Sequence, residues 1–224
     1  MSTAAATPPP RPSPFVPAMG RRPPPLRWRT HVRAAGIFLV LAVVVTGLAY
    51  PALVTVVAQA IDPSAANGSL LRCPNGTVVG SADIAQNLSA GTLGPSLFWA
   101  RPSLTDYNTT LGADSPPGPS DPALRALLNE TIAYLKTGTT NISPTATLPF
   151  WWVAPSASSV DPDLSPGAVL VQVMRVSNAT HLLITTVTAL VNAHITQPPL
   201  PFLGVPFVNV LELDIALLSL QGLC

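Results

Sequence analysis

The sequence has little charge. Charged residues make up only 9% of the 224 residues, and Lys136 is the only lysine. A protein that binds nucleic acid electrostatically carries a clustered excess of basic residues, so this composition excludes a basic nucleic-acid binder. In contrast, 48% of the residues are hydrophobic, which argues against a chain that is disordered throughout. The length and composition predict one modest folded domain with accessory segments.

The usual motifs for catalysis and metal binding are also missing. The sequence has no glycine-rich phosphate loop, no cysteine pair at zinc spacing and no His-x-x-x-His pattern. Asp161 and Asp163 supply only two carboxylates, which make an incomplete site for a hard cation. We therefore predict no catalytic residue, no metal and no cofactor for the chain itself.

A hydrolase is the one enzyme class for which residues could be assembled. The hydrolase-like set consists of Ser156, Ser158, Asp161, His181 and His194. No Gly-x-Ser-x-Gly frame surrounds either serine, and the sequence does not show that these groups meet. We keep a surface hydrolase as the third of three hypotheses.

The few charges are distributed unevenly along the chain. Residues 1–33 contain six arginines and no acid, whereas residues 62–224 contain all ten acids and five basic residues. Between them, residues 34–61 carry no charge, and a helix of that length reaches about 42 Å, more than the apolar core of a bilayer, about 30 Å. We predict a transmembrane helix over residues 34–61, with a kink or its outer part at Pro51. The alternatives are a buried core helix and a cleaved signal peptide ending at Ala58-Gln59-Ala60, although the apolar run is long for a signal peptide.

The charge asymmetry also predicts an orientation. Arginines concentrate before the apolar run, so we expect a cytoplasmic N-terminus in the cell membrane and residues 62–224 outside. Residues 1–33 include nine prolines and are predicted to be a disordered cytoplasmic tail near anionic lipid head groups. The predicted organisation is a tail (1–33), a single transmembrane helix (34–61) and one extracytoplasmic domain (62–224).

Asparagine usage gives independent support for an external domain. Seven of the nine asparagines, all after residue 61, begin an Asn-x-Ser/Thr sequon. Chance predicts about 1.5 such matches, so the excess indicates a glycoprotein. The best candidates are Asn75, Asn87, Asn108, Asn129 and Asn178. Asn67 is weaker because it lies close to the apolar run, and Asn141 is weaker because Pro144 follows its sequon.

The two cysteines, Cys73 and Cys224, both fall in the predicted external part. A disulfide persists in such a compartment and would tie the C-terminus to the start of the domain. The alternative is two free thiols, and the sequence leaves both possibilities open.

The pattern of residues 62–224 predicts an α+β domain. A hairpin is expected over residues 70–79 with its turn at Pro74-Asn75-Gly76. Asp121-Pro122 should begin a helix that Gly138 ends, and Ser165-Pro166 a second helix to about Ala179. Residues 180–192 fit either a helix or a strand, and residues 205–213 are predicted to be a strand. Trp151 and Trp152 are expected to point to opposite sides of an extended segment, one inward and one towards lipid or a partner.

Several short blocks, in order, resemble one family. They begin with Val45-Thr46-Gly47-Leu48-Ala49-Tyr50-Pro51, Ala58-Gln59 and Ala66-Asn67-Gly68-Ser69, and continue with Val79-Gly80-Ser81, Gln86 and Arg101-Pro102-Ser103. Ser156-Ala157-Ser158-Ser159-Val160-Asp161-Pro162 follows, then Leu164-Ser165, Gln172-Val173, Arg175-Val176 and Val208-Asn209-Val210-Leu211. Together these blocks span residues 45–213 and resemble the KdpC subunit of the Kdp potassium-transporting P-type ATPase.

The resemblance implies a function and a set of partners. A KdpC-like protein would be a non-catalytic accessory subunit of an ATP-driven potassium uptake pump, with KdpA-like channel, KdpB-like ATPase and small KdpF-like subunits as partners. Such a subunit stabilises assembly, shapes the external potassium entrance or raises the ATP affinity of the ATPase subunit, and ATP and potassium are used by the complex. The resemblance implies these family-motif or partner-contact candidates: Gly47, Tyr50, Pro51, Gln59, Asn67, Gly68, Ser69, Gly80, Ser81, Gln86, Arg101, Pro102, Ser103, Ser156, Ser158, Asp161, Pro162, Ser165, Gln172, Arg175 and Asn209.

The alternative function is a free-standing, single-pass, glycosylated surface binding module. The sequons, the apolar run and the basic tail would suffice for it.

Overall fold

The computed structural model describes residues 28–89, 92–111, 117–136, 142, 145–200 and 202–224. The chain forms two compact units, residues 1–54 and residues 55–224. Three predictions lie outside the described residues: the tail over residues 1–27, the helix end at Gly138 and the sequon at Asn141.

The described chain begins with a long apolar helix. It consists of α1 (Trp28–Val44), a π-helical turn (Val45–Ala49) and α2 (Tyr50–Ile61). Trp28–Ile61 comprises 34 residues with a mean hydropathy of 2.5, and none of its most apolar stretch is buried. The helix is thus long and apolar enough to cross a membrane, as predicted.

Two details of this helix differ from the sequence prediction. Residues 28–33 were assigned to the disordered tail, but they are helical, because the last proline of the tail is Pro25 and nothing after it stops a helix. Near Pro51 the backbone forms a π turn, in which the Tyr50 N–H donates to the Val45 carbonyl. Proline lacks an N–H, and a π turn is a common way for a helix to accommodate such an interruption.

After the apolar helix, the second unit continues with a helix cap and a hairpin. The Asp62 carboxylate accepts from the Ala65 N–H at 3.0 Å and caps α3 (Pro63–Ala66). Strands β1 (Leu70–Arg72) and β2 (Val78–Ser81) then pair antiparallel, which confirms the predicted hairpin. Cys73, beside the turn, forms a disulfide with Cys224 at a Cα–Cα distance of 5.1 Å. The disulfide that the sequence left open is therefore present.

Helices make up most of the regular secondary structure in the rest of the unit. Between two 3-10 turns (Gly94–Ser96 and Thr109–Leu111) and the C-terminus lie α4 (Pro122–Leu135), α5 (Phe150–Val153), β3 (Asp163–Leu164), α6 (Pro166–Leu170), α7 (Val173–Thr180), α8 (Ile184–Ala193), β4 (Val208–Asn209) and α9 (Val210–Leu220). Strands β3 and β4 pair antiparallel, with Asp163 opposite Asn209. This mixture of helices and short strands confirms the predicted α+β class.

The helix starts were predicted well. Asp121 caps α4 by accepting from the Ala123 N–H at 2.8 Å, as its position before Pro122 indicated. The helix beginning at Pro166 is interrupted after Leu170, so it consists of α6 and α7. Residues 180–192, which the sequence left ambiguous, contain α8.

The predicted strand over residues 205–213 is wrong. Only Val208–Asn209 are strand, and α9 begins at Val210. The Asn209 side chain accepts from the Glu212 N–H at 3.2 Å, so this residue caps a helix instead of continuing a strand. The hydrophobic run is buried as helix against the core, where Leu213 and Leu217 are inaccessible to solvent.

The tryptophan pair lies in α5, not in the extended segment that was predicted. Trp152 is 1% exposed and Trp151 is 54% exposed. The expected division into one inward and one outward ring is therefore confirmed. Neighbouring residues on a helix point about 100° apart, which also separates the two rings.

Candidate functional site

Three polar side chains lie deep in the core of the second unit. Gln172, Arg175 and Asp214, which we call the buried clamp, are each no more than 1% exposed. Arg175 donates to the carbonyls of Gly94, Pro95 and Leu97 at 3.3, 2.7 and 2.8 Å. The clamp thereby fixes the chain from residue 94 onwards against α7.

Gln172 and Asp214 bind the main chain of the residues that follow in the same segment. The Gln172 side chain accepts from the Trp99 N–H at 2.8 Å and donates to the Trp99 carbonyl at 3.1 Å. An Asp214 oxygen accepts from the Phe98 N–H at 2.9 Å. Buried main-chain groups need partners, and a segment without regular structure takes them from side chains.

Burial dominates the electrostatics of the clamp. It raises the pKa of Asp214 well above the ordinary value, against the opposing effects of the Phe98 hydrogen bond and Arg175. It also lowers the pKa of Arg175 to about 10. The Arg175 guanidinium lies over the Trp99 ring at 4.1 Å, and that aromatic face stabilises a cation out of water. With no solvent-facing surface, the clamp has a structural role.

A second arginine lies near the surface. Arg101 forms an ion pair with Asp161 at 2.9 Å and donates to the carbonyls of Ala154 and Pro155 at 3.2 and 3.0 Å. Its guanidinium is 5.4 Å from the centre of the exposed Trp151 ring. This one side chain therefore links two loops that are about sixty residues apart in sequence.

Ser156 and Ser158 lie in the loop that holds Asp161. Their hydroxyls are 3.4 Å apart, and the Ser156 oxygen accepts weakly from the Asp161 N–H at 3.5 Å. The Ser158 oxygen accepts from the Val160 N–H at 3.3 Å. These serines shape the turn that presents Asp161.

Two adjoining cavities lie beside Asp161. One, of about 460 Å³, is lined by Asp83, Pro162, Asp163, Asn209 and Glu212, among others. The other, of about 140 Å³, is lined by Arg101, Trp151, Asp161, Ser165 and Val205, among others. Both include Asp163 and Phe207, so they form one continuous surface, which we call the acidic face.

Asp163 lies at the centre of the acidic face. Partial burial raises its pKa to about 6, and the neighbouring carboxylates of Asp161, Glu212 and Asp83 add to the effect. The Asn209 amide opposes the rise by donating to Asp163 at 3.3 Å. The face therefore changes its charge in mildly acidic solution.

Asn209 joins three parts of the unit. Besides capping α9, its amide nitrogen donates to the Ala82 carbonyl at 2.7 Å, across 127 residues of sequence. The segment after the hairpin, strand β3 and helix α9 therefore meet at this side chain.

Two further pairs of predicted residues lie in contact. Gln59 and Asn67 exchange amide hydrogen bonds at 3.1 and 3.3 Å, next to the positive φ values of Gly68 (88°) and Ser69 (50°). The Gln86 side chain donates to the Val79 carbonyl at 3.0 Å and crosses Gly80, where a Cβ would overlap it.

The remaining predicted residues are spread over the molecule. Gly47 lies in the π turn of the apolar helix, and Tyr50 and Pro51 follow it. The Ser81 oxygen accepts from the Asp83 N–H at 3.2 Å, and the Ser103 oxygen from the Tyr107 N–H at 2.7 Å. Pro102 lines an apolar cavity of about 340 Å³ next to Trp99. Ser165 precedes α6 without a side-chain capping bond.

The hydrolase-like set does not come together. In the described residues the hydrogen bonds of Ser156 and Ser158 stay within their own loop. His194 bonds the Leu190 carbonyl at 2.8 Å, and His181 is an exposed residue at the end of α7. The two histidines flank α8, and their environments support no triad. A search of the described part of the chain also found no cluster of three or more His, Cys, Asp or Glu residues suited to a metal ion.

Two important residues were missed by the sequence reasoning. Asp214 follows Glu212 in α9 and is flanked by Leu213 and Ile215, and a charge between apolar residues was a signal for a buried carboxyl. Asp163 was considered only as a metal ligand, although Asp161-Pro162-Asp163 places two like charges two residues apart. The Asn209-x-x-Glu212 spacing, an N-terminal helix signature, could also have revealed the start of α9.

Comparison with known proteins gives a consistent match. The family model described as KdpC, K+-transporting ATPase, c chain, matches residues 32–219. A protein of Burkholderia orbicola named potassium-transporting ATPase KdpC subunit is 41% identical over 197 residues, covering 87% of this chain and 98% of the relative. Proteins with the same name from Burkholderia cenocepacia and Ralstonia nicotianae are each 42% identical, over 87% and 85% of this chain and 98% and 91% of the relatives. The matched region includes both the apolar helix and the acidic face.

Proposed function

Since the chain belongs to the KdpC family of K+-transporting ATPase c chains, we propose that it is a non-catalytic accessory subunit of an ATP-driven potassium uptake pump. Its partners in this proposal are KdpA-like, KdpB-like and KdpF-like subunits in the cell membrane. The apolar helix spans the membrane with its arginine-rich N-terminus in the cytoplasm, and residues 62–224 lie outside. The net charges of +6 on residues 1–33 and −5 on residues 62–224 support this orientation.

The acidic face is the proposed docking surface for the pump. The observation that carries this proposal is convergence: Arg101, Asp161 and Asn209, three family-motif residues far apart in sequence, line two cavities that share Asp163 and Phe207. Charged groups arranged on one surface can complement the charges of a partner protein and fix its orientation.

The same face supports a role at the potassium entrance. Asp83, Asp163 and Glu212 line one cavity, and the external part carries a net charge of −5. A surface of this sign raises the local concentration of cations modestly. Assembly together with shaping of the entrance is therefore our preferred role. An effect on ATP affinity would have to act across the membrane, because ATP is cytoplasmic.

The test is co-purification of the full chain with the other three subunits in mild detergent. Asp83→Lys changes the charge of an exposed side chain on the acidic face, and Glu130→Lys makes the same change on α4, away from it. We expect Asp83→Lys to weaken retention of the chain and slow potassium uptake, and Glu130→Lys to leave both unchanged.

Other outcomes would contradict the proposal. If the wild-type chain is recovered as a lone monomer while the pump assembles normally without it, the free-standing binding module is correct. If Asp83→Lys and Glu130→Lys behave alike, the acidic face is not the docking surface. A higher KM for ATP in a pump lacking this subunit, with assembly and potassium affinity unchanged, would favour the ATP-affinity role.

A further inference from the structure

The sequons differ in whether the folded chain already uses their amide nitrogen. Asn67 Nδ2 donates to the Pro63 carbonyl at 2.6 Å and to the Gln59 side chain at 3.3 Å. Asn87 Nδ2 donates to an Asp106 carboxylate oxygen at 3.1 Å. Attachment of a sugar replaces one of the two amide hydrogens and places a bulky group at that nitrogen. At Asn67 both hydrogens are engaged, so attachment breaks a contact, and at Asn87 the sugar competes for space with the Asp106 contact.

Two other sequons have the opposite arrangement. The Asn75 side-chain oxygen accepts from the Thr77 N–H at 2.9 Å, and the Asn108 oxygen accepts from the Thr110 N–H and hydroxyl at 2.9 and 2.7 Å. Both asparagines are exposed. Among the described residues, nothing accepts a hydrogen bond from either amide nitrogen. The oxygen therefore fixes the turn while the nitrogen remains free in solvent.

We propose that Asn75 and Asn108 carry N-linked glycans and that Asn67 and Asn87 do not, because the fold leaves the amide nitrogen free in the first pair and engages it in the second. This inference rests on the proposed outward orientation. The co-reactant is a lipid-phosphate-linked oligosaccharide. The bond between Asn Nδ2 and the sugar C1 forms, the bond between C1 and the phosphate oxygen breaks, an Nδ2 proton passes to a base, and the lipid phosphate leaves.

The selected positions also fit the proposed docking surface. Asn75 lies at the turn of the hairpin and Asn108 precedes the second 3-10 turn, and neither lines a cavity of the acidic face. Glycans at these sites would leave that face uncovered. They would also add solvated surface to a unit that has few charges.

The experiment is peptide mapping by mass spectrometry of the full chain, purified from the membranes of its natural host. We expect sugar masses on most peptides that contain Asn75 or Asn108, and unmodified peptides for Asn67 and Asn87. Asp106→Gly removes the acceptor of the Asn87 amide, and glycine tolerates the positive φ of 52° at that position. This variant should raise the occupancy of Asn87 and leave that of Asn75 unchanged.

The opposite results would overturn the inference. Sugar on Asn67 or Asn87 at the level of Asn75, or no response of Asn87 in Asp106→Gly, would show that the folded contacts do not select the sites. Unmodified Asn75 and Asn108 would reject the glycans themselves. Neither result affects co-purification with the pump, so failure of this inference is distinguishable from failure of the proposed function.

Discussion

The buried clamp and the acidic face contain the same kinds of side chain in opposite environments. Each has an arginine over a tryptophan ring, at 4.1 Å for Arg175 and 5.4 Å for Arg101. Each also has a carboxyl group and an amide, Asp214 with Gln172 in the clamp and Asp163 with Asn209 on the face. In the clamp these groups bind main-chain atoms of one segment, whereas the face keeps carboxylates in contact with solvent.

A residue can belong to a family motif because it stabilises the fold or because it binds a partner, and this difference separates the two cases. Gln172 and Arg175 stabilise the fold, because their side chains donate to the carbonyls of Leu97 and Trp99 inside the core. Arg101 holds the acidic face together, but the groups that it holds remain accessible. Of these two clusters, the acidic face is therefore the one whose polar groups are available to another protein.

The largest effect on stability is expected at Arg175, in the buried clamp. Truncation to alanine leaves the buried Leu97 carbonyl without this donor and removes the bond to the Pro95 carbonyl, so Arg175→Ala should lower the free energy of unfolding by about 3–5 kcal/mol. Arg175→Lys keeps a cation but loses the planar fork, and its loss should be smaller. Urea denaturation of the full chain in detergent measures both.

The matched control for this prediction is Arg125→Ala, at an exposed arginine of α4. Its effect should stay within about 0.5 kcal/mol, as for most surface substitutions. Equal losses at Arg175 and Arg125 would mean that the clamp does not stabilise the fold.

A smaller effect, of a different kind, is expected at Arg101. Arg101→Lys cannot keep the contacts with Ala154, Pro155 and Asp161 together, so stability should fall by about 1–2 kcal/mol. Because the loop that presents Asp161 loosens, affinity for the pump should fall about tenfold, a change of about 1.4 kcal/mol. Titrated pull-down with the other subunits measures that affinity.

Arg72→Lys provides the comparison, because among the described residues the Arg72 side chain makes one hydrogen bond, to the Gly76 carbonyl at 3.1 Å. It should leave affinity for the pump unchanged. If Arg101→Lys lowers stability but leaves the affinity for the pump unchanged, Arg101 has a purely structural role, like the residues of the buried clamp.

The sequence predicted local features better than buried polar contacts. Asp121-Pro122 and Ser165-Pro166 marked helix starts because a proline at the first helical position, and the cap at Asp121, depend only on neighbours in the chain. The sequence could not show that Arg175 binds carbonyls near residue 95, or that Asn209 reaches Ala82, because these contacts join residues 80 or more positions apart. The strand predicted over residues 205–213 is wrong because a short apolar run after proline-rich coil fits either a strand or a helix, and the Asn209-x-x-Glu212 capping signal decides for the helix.

The acidic face was likewise only partly predictable. Arg101, Asp161 and Asn209 were named from the family resemblance, but their convergence with Trp151 and Asp163 depends on how loops pack on the core. The raised pKa of Asp163 follows from that packing as well, because partial burial is its largest cause.

The smallest expected effect is the contribution of Asp163 to the pH dependence of stability. Its pKa is raised from 3.8 to about 6, so the folded state binds this proton more tightly than the unfolded state. The resulting stabilisation is fully present below pH 4 and is lost as the pH rises through 6. For a sheltered group the shift would be worth about 3 kcal/mol, and discounting for solvent screening leaves about 1 kcal/mol.

Asp163→Asn removes this titration and keeps an oxygen for the Asn209 amide, so the variant should lack about 1 kcal/mol of the stability that the wild type gains between pH 7 and pH 4. Asp214 also has a raised pKa and contributes in the same direction, and it does so equally in both proteins. The difference between their unfolding curves at each pH therefore isolates the acidic face from the clamp. Glu130→Gln, on α4, should retain the full gain. If Asp163→Asn also retains the full gain in stability between pH 7 and pH 4, Asp163 does not contribute to it. The acidic face would then differ from the buried clamp in exposure only.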